Sequence, residues 1–347
     1  MVRDQRARLC PSRLPIRHGR AFAGLIGGLR NALLLAIGMS SLAPAVSAAD
    51  PLCGGRTIRL INPFPPGGPS DLLARAFAET FQSGLQQVAV VENRPGAGGN
   101  LGTEAVARSA PDGCTLLVGI DTTLTINPAI YPVMSFRVDE LRPLMVIASS
   151  GLLVAVHPGT GVRSLAELLA RGRQAGLTFS SGGNGSPGHL AVSMLVDASG
   201  IRVTHVPYKG NTPAVTALVA GEVDAGTLAT PGLLPFVRPG RVVPLAVTSP
   251  RRSGLLPEVP TSAEMGMSDL ALEVLYVAMA PAGTPAAIVD RLRQLMVEAL
   301  SPGPVRARLA QLDLVLEQQV GLEASQRLER QRERYRALIQ RTGMRAD

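Results

Sequence analysis

The stretch Thr57–Ile58–Arg59–Leu60–Ile61, followed by Asn62–Pro63–Phe64–Pro65–Pro66–Gly67–Gly68–Pro69–Ser70–Asp71, decides the fold class. Its first five residues read as a short strand, which the prolines and glycines then stop. From Asp71 to Phe81 the apolar positions, Leu72, Ala76 and Phe77 among them, recur with a helical period. A strand, a glycine-rich loop and a helix in this order form the opening of an α/β unit.

Working outward, the same rhythm repeats. Val88–Val91 reads as a second strand, ended by Glu92–Asn93–Arg94–Pro95 and the turn glycines Gly96, Gly98 and Gly99. A helix over Leu101–Ala110 and a strand over Thr115–Val118 follow, joined by Asp112–Gly113. Further strands are expected at Leu152–Val156, Leu177–Ser180, Val203–Val206, Val223–Gly226 and Val242–Val247. Helices are expected at Leu165–Arg173, His189–Ala198 and Ala214–Ala220. The tail from Pro285 to Arg341 has an almost wholly helical pattern, interrupted near Pro302–Gly303–Pro304. The alternation predicts α/β architecture with mostly parallel sheets, in two halves, and an apolar content of 46% excludes a disordered chain.

The formal net charge of +8 would point to nucleic acid if it were spread over the fold. It is not. Residues 1–49 hold Arg3, Arg6, Arg8, Arg13, Arg17, Arg20 and Arg30 against Asp4 alone, which is most of the excess. These arginines precede the apolar run Ala32–Met39 and the small-residue ending Ala45–Val46–Ser47–Ala48–Ala49. Basic head, short apolar core and Ala-x-Ala ending are the parts of a secretory signal peptide, so 1–49 is expected to be removed on export. The run is far short of the roughly 20 apolar residues needed to span a membrane. Export leaves Cys53 and Cys114 in an oxidising compartment, where the two can close a disulfide. Two α/β halves and a helical tail in an exported chain suggest a clamshell binding protein.

The loops that follow the strands carry the polar chemistry, which is where open α/β sheets bind ligands. Ser70 can cap the helix after the first loop, and free N–H groups at that helix start can receive a carboxylate or phosphate. The loop is neither a dinucleotide fingerprint nor a P-loop, because its glycine spacing is wrong and no Gly-Lys-Ser/Thr occurs. Asp71 in it serves equally as a structural cap. A second loop, Ser180 to Ser186, offers Asn184 and several hydroxyls ahead of His189. A third holds Asp121–Thr122–Thr123 and a fourth Tyr208–Lys209–Gly210. Catalysis finds little support: Gly-x-Ser-x-Gly and His-Glu-x-x-His are absent, and Ser186 with His189 has no acidic partner in view. Metal-ligand spacings are likewise absent, and no cofactor is called for.

Several stretches carry a resemblance. Pro63–Phe64–Pro65–Pro66–Gly67–Gly68–Pro69–Ser70–Asp71, Val91–Glu92–Asn93–Arg94–Pro95–Gly96–Ala97–Gly98–Gly99–Asn100, Pro111–Asp112–Gly113, His205–Val206–Pro207–Tyr208–Lys209–Gly210 and Ala280–Pro281–Ala282–Gly283–Thr284–Pro285 occur in order. They resemble the Bug family, the periplasmic substrate-binding proteins of tripartite tricarboxylate transporters, from about Thr57 to the C-terminus.

The resemblance implies a monomeric two-lobed α/β binding protein of the type II Venus-flytrap kind. Its first lobe would comprise residues 50–151 and 250–347 and its second 152–249, with a hinge between. It implies a soluble periplasmic protein, not an enzyme, that captures a small organic carboxylate between the lobes. Phe64, Gly68, Ser70, Asp71, Thr122 and Thr123 would contact it from one side, and Ser180, Asn184, Ser186, His189 and Tyr208 from the other. The implied partners are the large and small integral-membrane permease subunits, not nucleic acid. A sensing protein that reports to a membrane receptor would use the same pocket, and an exported enzyme is the remote alternative.

Three positions depart from the family pattern. Cys114 stands where an aromatic residue is usual, Leu275–Tyr276 where Trp-Phe is frequent, and Leu228 where an acidic or amide side chain is frequent. If Leu228 lines the pocket, an apolar side chain there removes a polar contact and changes which solute is preferred.

Overall fold

The computed structural model describes residues 52–346; the expected signal peptide lies outside them. Strand β1 (Ile58–Asn62) runs through the proline–glycine loop into helix α1 (Pro69–Leu85). Phe77 and Phe81 on one face of α1 are fully buried and stack at 6.2 Å. Strand β2 (Ala89–Asn93), helix α2 (Asn100–Ala107) and strand β3 (Thr115–Ile120) complete the opening unit, with β2 and β3 parallel to β1 on either side. Two single-turn helices, α3 (Thr122–Thr125) and α4 (Asn127–Ile130), lead to β4 (Leu141–Val156).

The second α/β run comprises α5 (Leu165–Gln174), β5 (Leu177–Ser181), α6 (Pro187–Ser199), β6 (Val203–Pro207), α7 (Asn211–Ala220), β7 (Ala225–Ala229), α8 (Thr230–Val237) and β8 (Val243–Val247). The chain closes with β9 (Glu273–Pro281), α9 (Ala286–Ala299), α10 (Pro304–Gln311), β10 (Val315–Val320) and α11 (Gly321–Thr342).

Strand β4 belongs to both halves. Its residues from Leu141 to Gly151 pair antiparallel with β9, and β10 lies on its other edge. From Leu152 to Val156 it pairs instead with β7 and β8. One sheet therefore reads β2-β1-β3-β9-β4-β10 and the other β8-β4-β7-β5-β6, giving a two-lobed α/β fold. The passage between the sheets is tightly built. A Cβ on Gly151 would sit 2.7 Å from Ser249 Oγ and 2.9 Å from the Ser249 backbone nitrogen. Beside it the buried Thr248 hydroxyl accepts from the Leu152 N–H at 2.8 Å and donates to the Leu272 carbonyl at 2.6 Å. One side chain thus joins three segments where the chain passes between the two sheets.

Parallel pairing holds for β1 with β2 and β3 and for β5 with β6 and β7, whereas every strand on β4, and β3 with β9, pairs antiparallel. The sheets are therefore mixed rather than mostly parallel, because β4 and β9 run against every strand they pair with. The tail also departs from its helical expectation. Val315–Val320 forms a strand on the β4 edge, with a register shift between Leu316 and Gln319 around the positive φ of Gln318. An open sheet edge with unpaired backbone groups overrides the weak local pattern of those six residues.

The two cysteines meet without joining. Cys114 Sγ points at the Cys53 carbonyl oxygen, 3.9 Å away, and both thiols are free. Burial first, then the neighbouring Cys53 and Asp112, pushes the Cys114 thiol far above its ordinary value.

Candidate functional site

The loops after the strands enclose a cavity of about 100 Å³. Three helices of eight residues or more begin on its wall: α1 at Gly68–Pro69–Ser70, α6 at Ser186–Pro187–Gly188 and α7 at Gly210–Asn211–Thr212. Pro69 and Pro187 carry no N–H, and the Asp71 and His189 N–H groups are taken by the Gly68 carbonyl and Ser186 Oγ. The donors left for a ligand come from the other first-turn residues, and each helix start carries roughly half a positive charge. Among the described residues that line the cavity, none carries a charged side chain. Anion attraction here is therefore built from backbone dipoles.

Local structure explains how the first loop is held. Gly68, not Ser70, caps α1, and the Ser70 hydroxyl donates to Asn62 Oδ1 at 3.0 Å across the loop. Asp71 accepts from the Gly67 N–H at 3.0 Å, from Asn93 at 3.0 Å and from Arg75 at 3.0 Å. Burial alone would raise its carboxyl, but these donors outweigh it and hold Asp71 below the usual range. The Asp71 side chain thus ties the loop from behind, outside the cavity lining.

In the second loop Ser186 caps α6 by accepting from the His189 N–H at 3.2 Å. Gly188 presses so closely on β7 that any Cβ there would collide with the Thr227 carbonyl. His189 turns away from the cavity. It stacks on His205, with ring centroids 4.1 Å apart and planes within 7°, and its Nδ1 accepts from the Gly185 N–H. His205 Nε2 in turn meets Ser181 Oγ at 2.7 Å, and burial lowers its proton affinity. The two imidazoles brace both ends of the Ser181–Ser186 loop.

Of the residues singled out in the sequence, Phe64, Gly68, Ser70, Thr122, Asn184 and Ser186 line the cavity together. Tyr208 lies on the outer depression that shares Phe64, Gly98, Asn184 and Gly210 with it. Thr123 and Ser180 are wholly buried behind the wall, with Ser180 Oγ 3.5 Å from the Ala225 carbonyl. Thr122 and Thr227 line the cavity, and among the described residues their buried hydroxyls have no hydrogen-bond partner. Sequence reasoning did not select Thr227, Asn211, Thr212, Leu152, Val274 or Ile120, which also line the cavity. Leu228, marked by its departure from the family pattern, is on the wall, as is Tyr276.

The model of the tripartite tricarboxylate transporter family receptor matches residues 73–344. The chain belongs to this receptor family. Protein BugT of Bordetella pertussis is 37% identical over 261 residues, covering 74% of this chain and 80% of that protein. A solved structure described as a periplasmic transporter superposes with a TM-score of 0.80 at 30% identity, over 84% of this chain and 99% of its own. Rpa4515 of R. palustris, solved with adipate, gives a TM-score of 0.80 at 29% identity, over 84% and 98% of the two chains. This receptor is accordingly an extracytoplasmic, periplasmic binding protein, and the likeness is to binding proteins rather than to enzymes.

Proposed function

We propose that this receptor captures a small organic carboxylate in the cavity and delivers it to the large and small permease subunits of a tripartite transporter. The observation that carries this reading is the convergence of the α1, α6 and α7 starts on one uncharged cavity that also holds the unpartnered Thr122 and Thr227 hydroxyls. Backbone N–H groups at helix starts bind anionic oxygen without a buried cation, and the adipate carried by the R. palustris relative is such a ligand.

The two lobes would comprise residues 50–151 with 250–347 and residues 152–249, hinged near Gly151 and Thr248. Closure over the ligand would present a surface for the permease to read. Phe64, Gly68, Ser70 and Thr122 would contact the ligand from one lobe and Asn184 and Ser186 from the other. Tyr208 would cover the mouth. Asp71, Thr123, Ser180 and His189 would hold the contact loops in shape from behind.

Thermal unfolding across mono-, di- and tricarboxylates tests the reading. A ligand at about a thousandfold excess over its Kd stabilises by roughly 4 kcal/mol. Saturable stabilisation by at least one acid is expected, and a flat response to the whole panel refutes carboxylate capture.

A further inference from the structure

The cavity wall is divided in its chemistry. The helix starts, Thr122 and Thr227 supply all that a single carboxylate needs. Apart from the Asn184 side chain, the remaining side chains are largely hydrocarbon: Ile120, Leu152, Leu228 and Val274, with the rings of Phe64 and Tyr276. Leu152, Leu228 and Val274 are almost fully buried, at 2%, 1% and 3% exposure. The one polar atom among these side chains, the Tyr276 hydroxyl, is within 3.2 Å of Ser150 Oγ, to which it is hydrogen-bonded.

We infer that the receptor's solute is an amphipathic monocarboxylate, with one carboxylate at the helix starts and an uncharged aliphatic or aromatic body against Ile120, Leu152, Leu228 and Val274. This inference rests on the carboxylate-capture reading and narrows it to a substrate class. A second carboxylate at the far end of the ligand would be stripped of water against leucine and valine, with no cation among the described lining residues to offset the loss. A methyl, methylene or phenyl group at the same place gains from burial, about fourfold in affinity for each methylene. The apolar wall therefore selects against di- and tricarboxylates and for apolar bulk. Thr122 and Thr227 fix which end of the ligand is which, because their hydroxyls are otherwise orphaned.

The matched pair hexanoate and adipate tests this, since the two share six carbons and differ in the second carboxylate. Calorimetry on the mature protein should give hexanoate, 4-methylpentanoate or benzoate a Kd at least about tenfold below that of adipate and of citrate. Binding of adipate or citrate as tightly as the best monocarboxylate overturns the inference and leaves carboxylate capture standing. Binding of no acid at all removes capture and the inference with it. As a second readout, Leu228→Gln should shrink the hexanoate-to-adipate preference by about tenfold. Val274→Thr, nearly the same size, should shrink it in the same direction and guards against misfolding of the first variant. An unchanged preference in both variants counts against the apolar wall as the selecting feature.

Discussion

The carboxylate of Asp121 and the side-chain amide of Gln331 are 210 residues apart in the chain and 3.1 Å apart in the structure. Asp121 immediately precedes Thr122 on the cavity wall, and Gln331 lies on the C-terminal helix α11. The carboxylate also accepts from the Leu275 N–H at 3.1 Å and the Thr125 hydroxyl at 3.0 Å. Gln331 further donates to the Glu273 carbonyl and is within 2.9 Å of the Tyr335 hydroxyl. The final helix therefore holds the Thr122 loop in register.

Asp121→Asn should be destabilising. An amide keeps one acceptor oxygen but turns an N–H₂ group towards donors, leaving a buried polar group unpaired at a cost of about 1–3 kcal/mol. Chemical denaturation measures the loss, and a variant as stable as the parent would refute the buttress.

The stacked histidines predict a pH response. Burial holds His205 below its ordinary value, so below about pH 6.5 the unfolded chain takes up a proton that the folded protein resists. Stability from this source is full above that pH and falls as the pH drops. Asp121 acts with opposite sign. Burial raises it to about 6, against the Leu275, Thr125 and Gln331 donors, so its contribution is present at low pH and lost as pH rises through about 6. His205→Gln removes only the first effect and keeps an acceptor for Ser181. The stability advantage of the parent over this variant should shrink from pH 8 to pH 5; an advantage constant with pH would exclude the device. The groups around the stack are Ser181, Asp197 and Thr342, with Arg341 paired to Asp197.

Ser186→Ala tests a residue with two duties. Losing the α6 cap should cost about 1 kcal/mol of stability, or roughly 2–4 °C in Tm for a chain of this size. Under the proposed function it should also weaken ligand binding, and Ser186→Asp, which restores a cap but adds a negative charge, should recover stability and not binding. Recovery of both by aspartate would confine Ser186 to capping.

Gly188→Ala should be among the most damaging single changes at the site. The added methyl meets the Thr227 carbonyl, a backbone atom that cannot move aside without shifting β7. Overpacking of this kind costs about 1–3 kcal/mol, and the displaced Thr227 should weaken ligand binding as well. Unaltered melting and binding would show that α6 moves freely against β7.

The α/β class, the opening strand–loop–helix and most of the strands and helices up to β8 were legible because their apolar periods are strong and their turns are marked by proline and glycine. Phe64, Gly68, Ser70, Asn184 and Ser186 were legible for a related reason: each sits in, or in the first turn after, a loop rich in glycine and hydroxyl residues. Strand β10 was not legible, since Val315–Leu316–Glu317–Gln318–Gln319–Val320 takes its extended form from the β4 edge. Nor was the length of β4, whose first part contains Pro143 and reads as irregular until β9 is laid beside it.

By itself, the sequence determined the secondary-structure alphabet, the loops that hold the chemistry, and the family, all of which depend on neighbours a few residues apart. Only the tertiary structure decided which polar side chains face the cavity and which stand behind it. Asp71, Thr123, Ser180 and His189 look like ligand contacts along the chain, yet partners brought from Asn93, Ala225 and His205 engage three of them in support, while Thr123 is buried out of reach. Leu228, Val274 and Tyr276, which carry no polar signature, form the wall because β7 and β9 are both paired to β4. Burial and hydrogen-bond partnership are properties of the packed chain, so they were fixed only when strands and loops distant in the chain came together.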